Sequence, residues 1–207
     1  MSTSTKPGSR AVILALAGML TLMAPPAFPH EGFKAGGIPA SMRKVHLSTV
    51  NYTLPTVNLV RDDGQTVSLK DELDDGRPVV VTFIYTACRD ICPMTSQVLS
   101  QLQRKLGPDR DKVHLLSISI DPENDTPPQL RAYARRFGAN PESRYYTGTV
   151  AASVATQRAF NVFHQDKMSH TPVVLLRAAP GKPWLRVDGF ATADDLLQNY
   201  RKLMAAN

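Results

Sequence analysis

The chain has 207 residues, enough for one domain with a full core and some additional segments. With 43% hydrophobic and 20% charged residues it has the composition of a folded globular protein, which excludes a disordered or fibrous chain. The formal charge of +6 falls to +4 once Lys6 and Arg10 near the N-terminus are set aside, and no dense Lys/Arg run with interleaved aromatics accompanies it, so nucleic-acid binding is not indicated.

Residues 1–29 read as a signal peptide or N-terminal anchor. Lys6 and Arg10 form a charged start, and Ala11 to Ala24 is apolar but for Thr21. That run is shorter than the ~20 residues of a membrane span and fits the apolar region of an export signal, with an uncleaved membrane anchor as the alternative. Either reading exports the domain. In a Gram-negative cell the destination is the periplasm, where two thiols tend to pair unless kept reduced. Residues 30–46 contain Gly and Pro, lack periodicity and read as a linker. Residues 47–207 read as the folded domain.

Two short strands are expected around Val57–Val60 and Gln65–Ser68, joined by the hairpin signal Asp62-Asp63-Gly64. Ser68-Leu69-Lys70-Asp71 resembles a helix start for one short turn. Pro78 to Tyr85 is the most apolar run of the domain and reads as a central strand. It feeds Cys88-Arg89-Asp90-Ile91-Cys92-Pro93, which holds the only two cysteines. A helix is expected over 94–106, stopped by Gly107-Pro108. Val113 to Ile120 reads as a second central strand. Thr126 and Pro127 suit the cap and first residue of a helix running to about Phe137. Tyr145 to Thr147 leads into a helix over about 150–160, and a polar loop spans His164 to Thr171. Val173–Arg177 and Trp184–Val187 form a second hairpin, and Thr192 caps a final amphipathic helix.

Strands alternating with helices imply a parallel core with right-handed crossovers. A strand, cysteine turn and helix at the start, with two strands and a helix at the end, describe an α/β fold: a thioredoxin-like three-layer sandwich with an added N-terminal β-hairpin. Thr171-Pro172 fits this, because a proline, often cis, sits beside the cysteine turn in that fold.

Three residues separate the cysteines, so on a helix both sulfurs share one face. They can then meet one metal ion or each other. Thiol exchange needs a thiolate of lowered pKa at a helix start, and both cysteines are near one. Copper(I) favours thiolate and thioether. Two buried thiols or an inert disulfide is the remaining reading. Of the five histidines, His114 lies inside a core strand and His30 and His46 lie in the N-terminal arm. His170 stands two residues before Pro172, at the strand start expected beside the cysteine turn. Cys88, Cys92 and His170 would make a three-ligand site suited to copper in either oxidation state. His164 is a weaker substitute, and Met94 and Met168 are near enough in sequence to add a soft sulfur. A peroxiredoxin would carry Thr where Tyr85 stands.

Cys88-xxx-Cys92-Pro93, the segment Ser119 to Pro127 and the late His170 together resemble the Sco/SenC family over about residues 50 to 205. The resemblance implies copper, as Cu(I) or Cu(II), bound by Cys88, Cys92 and His170. It implies a metallochaperone delivering copper to the dinuclear centre of cytochrome c oxidase subunit II or a related exported copper enzyme. The alternative is a thiol–disulfide oxidoreductase that reduces the client's copper-ligand cysteines, with Cys88 attacking, Cys92 resolving and a thioredoxin-like reductant as a further partner. Ser169 stands before the histidine where family members often carry Asp, and Pro172 follows where they often lack proline. Asp121 and Asp125, beside the strand end nearest the cysteine turn, suggest a docking role.

Overall fold

The computed structural model describes residues 1–3, 44–139 and 141–206. The leader and nearly all of the linker, His30 included, lie outside the described residues. Among the described residues no helix is long and apolar enough to cross a membrane.

In chain order the elements are β1 (His46–Val50), β2 (Asn58–Arg61), β3 (Thr66–Ser68), α1 (Leu69–Leu73), β4 (Val79–Ile84), α2 (Ile91–Leu106), β5 (His114–Ser119), α3 (Pro127–Arg136), β6 (Ser143–Thr147), α4 (Val150–Ala159), β7 (Val173–Arg177), β8 (Trp184–Asp188) and α5 (Ala193–Ala205). The strands form one sheet in the order β1-β8-β7-β4-β5-β6-β2-β3. β4, β5 and β6 run parallel, and every other pairing is antiparallel. This is the expected thioredoxin-like arrangement with the β2–β3 hairpin added at one edge.

Every residue of β4 and β5 is buried, as the unbroken apolar runs require for strands covered on both faces. Alternate β4 side chains serve different layers. Val79, Val81 and Phe83 join Leu69, Leu73, Ala152 and Phe160, so α1 and α4 cover that face. Val80 joins Leu99, Leu102, Leu106 and Leu196 on the other face, under α2 and α5. Ile84 and Tyr85 pack with both cysteines, Leu130 and Tyr133, so the tip of β4 meets α2 and α3.

The local signals act as their chemistry demands. The Ser68 and Thr192 hydroxyls accept from the backbone N–H groups of Asp71 and Asp195. Thr126 and Gln129 form a capping box before Pro127. Gly64 turns the first hairpin with φ +91°, a conformation costly for any residue with a Cβ. Gly189 has a second reason to be glycine: a Cβ there would lie 2.7 Å from the carbonyl oxygen of Lys44. That close approach lets the chain pass into β1.

Three features differ from expectation. β1 was not anticipated; it starts at His46, the last residue assigned to the linker, and pairs with β8 at the sheet edge. Its residues are mostly exposed, so it lacks the apolar pattern that marks central strands. Helix α2 begins at Ile91, one turn before Met94, which puts Cys92 inside the helix. β6, read from sequence only as a short segment leading into α4, is a strand parallel to β5. The Thr171–Pro172 bond, whose isomer the sequence leaves open, is trans, since no cis peptide occurs among the described residues.

Leu116 is wholly buried at the centre of β5. Leu116→Ala is expected to cost about 3 kcal/mol through lost burial and the cavity left behind. Urea unfolding followed by circular dichroism should show the lowered midpoint with an unchanged slope.

Candidate functional site

The cysteine turn begins where β4 ends. The backbone N–H of Cys88 donates to the Tyr85 carbonyl at 3.1 Å, which closes the turn over Thr86 and Ala87. The turn is fastened from below by Asp125. This carboxylate has no exposed surface. It accepts from the Thr86 backbone N–H at 3.2 Å, the Thr86 hydroxyl at 2.5 Å and the Ser119 hydroxyl at 2.6 Å. Burial pushes the Asp125 carboxyl above the usual range, and the Ser119 and Thr86 donors oppose that rise.

Asp121 is also buried, and Lys167 pairs with it at 2.6 Å. The docking role suggested by sequence for these two aspartates is therefore corrected. Neither presents an open carboxylate; one holds the cysteine turn and the other holds the loop before β7.

Both cysteines are free and buried, but unequally. The Cys92 backbone N–H at the start of α2 points at the Cys88 sulfur, 3.4 Å away. Burial raises the Cys88 thiol, yet the Cys92 backbone N–H, the Cys92 thiol, the Asp90 backbone N–H and the Tyr85 phenol outweigh it, so the Cys88 pKa is lowered. Cys92 goes the other way. Burial and its own hydrogen bond to Cys88 push its thiol far above the ordinary value. Tyr85, held in the same cluster, is raised to about 12 by burial and by the neighbouring Cys88 charge. Asp90, at the helix cap position, makes no side-chain cap bond and is exposed.

His170 arrives from the opposite end of the chain. It follows a single 3₁₀ turn, Lys167–Ser169, whose start is capped by the Asp166 carboxylate. Its Nε2 lies 3.1 Å from the Phe83 carbonyl oxygen. A carbonyl can only accept, so Nε2 carries the proton and Nδ1 keeps its lone pair. Nδ1 is buried and has no partner. Burial lowers the His170 pKa, with the Phe83 bond opposing and His164 assisting, so the ring is held neutral.

The structure thus brings Cys88 and Cys92 together and sets His170 beside β4, the strand that leads into them. It does not close a ligand set: among the described residues no three His, Cys, Asp or Glu side chains are gathered to hold a metal ion. The other histidines among the described residues stand elsewhere or are already bonded. His46 is exposed on β1. His114 is buried and bonded to the Glu72 carbonyl and the Tyr146 hydroxyl. His164 is exposed, its ring centroid 6.4 Å from that of His170. Met94 is half-buried on α2, whereas Met168 is exposed and its sulfur accepts from the Tyr85 hydroxyl at 3.2 Å. Tyr85 was missed as a site residue by sequence reasoning. Its only signal was its place at the end of the apolar run, three residues before Cys88.

A thiol activated at a helix start, with a protonated partner one turn inside, is the device of thioredoxin-like dithiol proteins. The present chain belongs to one family of that class: the family model described as SCO1/SenC matches residues 50–205. It is 36% identical over 88 residues to a SCO1 protein homolog of Bacillus subtilis (strain 168), covering 42% of this chain and 45% of the relative. The chain thus spans less than half of that relative's length. Among solved structures it is similar to Arabidopsis thaliana ScoI with copper bound, with a TM-score of 0.63 and 26% identity over 74% of this chain and 98% of the other. It is similar also to BsSco, described as a member of the Sco family of cytochrome c oxidase assembly proteins with a disulfide switch. There the TM-score is 0.64 and the identity 25%, over 77% of this chain and 98% of the other.

The thiol asymmetry is open to a direct check. With the reduced protein, iodoacetamide should modify Cys88 first, with a pH midpoint below that of an ordinary thiol, and leave Cys92 untouched at neutral pH. Tyr85→Phe removes a phenol that helps to hold the Cys88 pKa down, so its midpoint should move up. Mass spectrometry of the alkylated peptide across pH reads both.

Proposed function

We propose that the domain is a copper metallochaperone, holding one ion on Cys88, Cys92 and His170 and passing it to an exported copper protein of the kind represented by cytochrome c oxidase subunit II. The observation that carries this reading is the His170 imidazole. Its Nε2–H is fixed on the Phe83 carbonyl, and its Nδ1 lone pair is buried with nothing to bond. A histidine ligand characteristically has its other nitrogen pinned in this way, which sets the tautomer and the ring orientation. Two thiolates and one neutral imidazole are soft and borderline donors that copper(I) and copper(II) both accept. Solved relatives that carry copper support the same cargo.

Binding requires the His170 strap and the cysteine turn to approach. Asp125 fastens the turn and Phe83 holds the His170 ring, so the turn and the strap, residues 163–171, each orient their donors before an ion arrives. A three-ligand site leaves a position open for a donor from the client, which allows the ion to leave by ligand exchange. Export to the periplasm, through a cleaved signal or with an uncleaved anchor as the alternative, belongs to this reading, and the apolar stretch Ala11 to Ala24 supports export.

A second reading rests on the unequal thiols. The Cys88 thiolate attacks a client disulfide, forming a mixed disulfide and releasing one client thiolate. Cys92 gives up its proton and attacks the Cys88 sulfur, releasing the second client thiol. The domain ends with a Cys88–Cys92 disulfide, the client has gained two electrons, and a thioredoxin-like reductant must restore the pair. A low-pKa attacking thiol and a protonated resolving thiol fit that sequence of steps.

Copper counting separates the two. The reduced wild-type domain, loaded with copper(I) and desalted, should retain close to one ion per chain. Cys88→Ser and Cys92→Ser should each abolish retention, and His170→Ala should weaken it by ~10- to 100-fold. Retention should fall as pH falls, because Cys92 must lose its proton to bind and acid opposes that loss. No retained copper in wild type, with undiminished disulfide reduction in His170→Ala, would leave the reductase reading alone standing.

A further inference from the structure

The strap that carries His170 also carries Met168, and neither structural packing nor the ligand set above uses it. Met168 is 70% exposed, the most exposed large hydrophobic side chain of the folded domain among the described residues. A methionine that merely filled a gap would be buried. Its sulfur nevertheless points inward, accepting from the Tyr85 hydroxyl at 3.2 Å. Tyr85 packs in one buried cluster with Cys88 and Cys92, and its carbonyl accepts from the Cys88 backbone N–H at 3.1 Å, so the thioether is anchored on the residue against which the two thiols pack. The strap backbone is held there independently. The Met168 N–H donates to the Asp166 carboxylate at 2.9 Å, and Lys167 pairs with Asp121 while lying over the Tyr85 ring.

Exposure falls in order along three sulfurs, from 70% at Met168 to 8% at Cys88 and 1% at Cys92. An ion coming from solvent or from a partner meets them in that order. We propose, resting on the copper reading above, that Met168 is the entry donor for copper(I): the ion docks between its thioether and the Cys88 sulfur, then moves to Cys92 and His170 as the thioether lets go.

The donor chemistry matches each position. A thioether has no proton to lose, so the outermost donor can bind without any acid–base step, and it is a soft ligand that prefers copper(I). Cys88 comes next. Cys92, the last, must release its proton to water when it takes the metal. Through the whole passage copper stays copper(I), no electron moves, and each step exchanges one ligand for another. A weak outer donor also makes the reverse journey easy, which suits a protein that must give its cargo away.

The test uses the full domain, reduced, with copper(I) supplied as its bicinchoninate complex and loading followed by stopped-flow absorbance. Met168→Leu removes both the sulfur and its contact with Tyr85. Met168→Gln keeps an acceptor for the Tyr85 hydroxyl but offers copper(I) no soft donor. Both are expected to reach the same final stoichiometry as wild type, with loading slower by on the order of tenfold. A wild-type loading rate in either variant overturns the proposal; in Met168→Gln it would mean that the strap contact, not the sulfur, matters. Loss of the bound ion itself in Met168→Leu also overturns it, since the thioether would then be a resident ligand. Failure of wild type to take copper at all overturns the copper reading and this inference together, whereas wild-type copper binding with unchanged variant rates overturns only this one.

Discussion

The Asp125 carboxylate sits out of reach of water and accepts from both the backbone and the hydroxyl of Thr86 and from the hydroxyl of Ser119. A buried carboxylate left without donors would cost several kcal/mol, so these groups must stay where they are for the acid to stay folded in. Hydrogen bonds to charged groups contribute about 1.5–3 kcal/mol each. The result is a clamp between the ends of β4 and β5, which are already parallel neighbours through Ile84 and Ser119. The cysteine turn grows directly out of that clamp. Its geometry is therefore set by the fold before any metal or client arrives.

From that fixed turn follows the inequality of the two thiols. Cys88 lies just outside α2 and collects the backbone N–H of Cys92; Cys92 lies inside the helix, sealed by Leu130 and Tyr133. One sulfur is ready to act as a nucleophile or ligand, and the other holds its proton in reserve. Copper handling and thiol exchange both need such a pair, which is why the dithiol alone does not choose between them. The imidazole of His170, with one nitrogen pinned and the other without a partner, is the feature on which the proposed copper reading rests.

Much of this was legible in the residues. Asp62-Asp63-Gly64, Thr126-Pro127 and Gly107-Pro108 act locally, so their turns, caps and stops can be read without knowing the rest of the chain. The β4 and β5 runs are legible because burial on both faces demands unbroken apolar sequence. β1 was not, because an exposed edge strand takes its place from pairing with β8 and leaves little pattern of its own. The early start of α2 was hidden because Asp90 takes the cap position without using its side chain. Asp125 is legible as a residue of the turn after β5 but not as its clamp. Its neighbours in sequence suggested a solvent-facing turn, and only the tertiary structure brings Thr86 and Ser119 around it. The pairing of His170 with Phe83 likewise depends on strands far apart in sequence meeting in the sheet.

The edge strand β1 has one more implication. His46 stands opposite Asp188, Asp188 opposite Val173, and the next residue, Val174, opposite Thr82 near the tip of β4. The polypeptide thus joins the sheet at the rim where the sulfurs lie, squeezed past Gly189 at Lys44. The chain therefore enters the sheet at the same end at which β4 hands over to the cysteine turn, so the first paired residue and the two sulfurs share one edge of the domain.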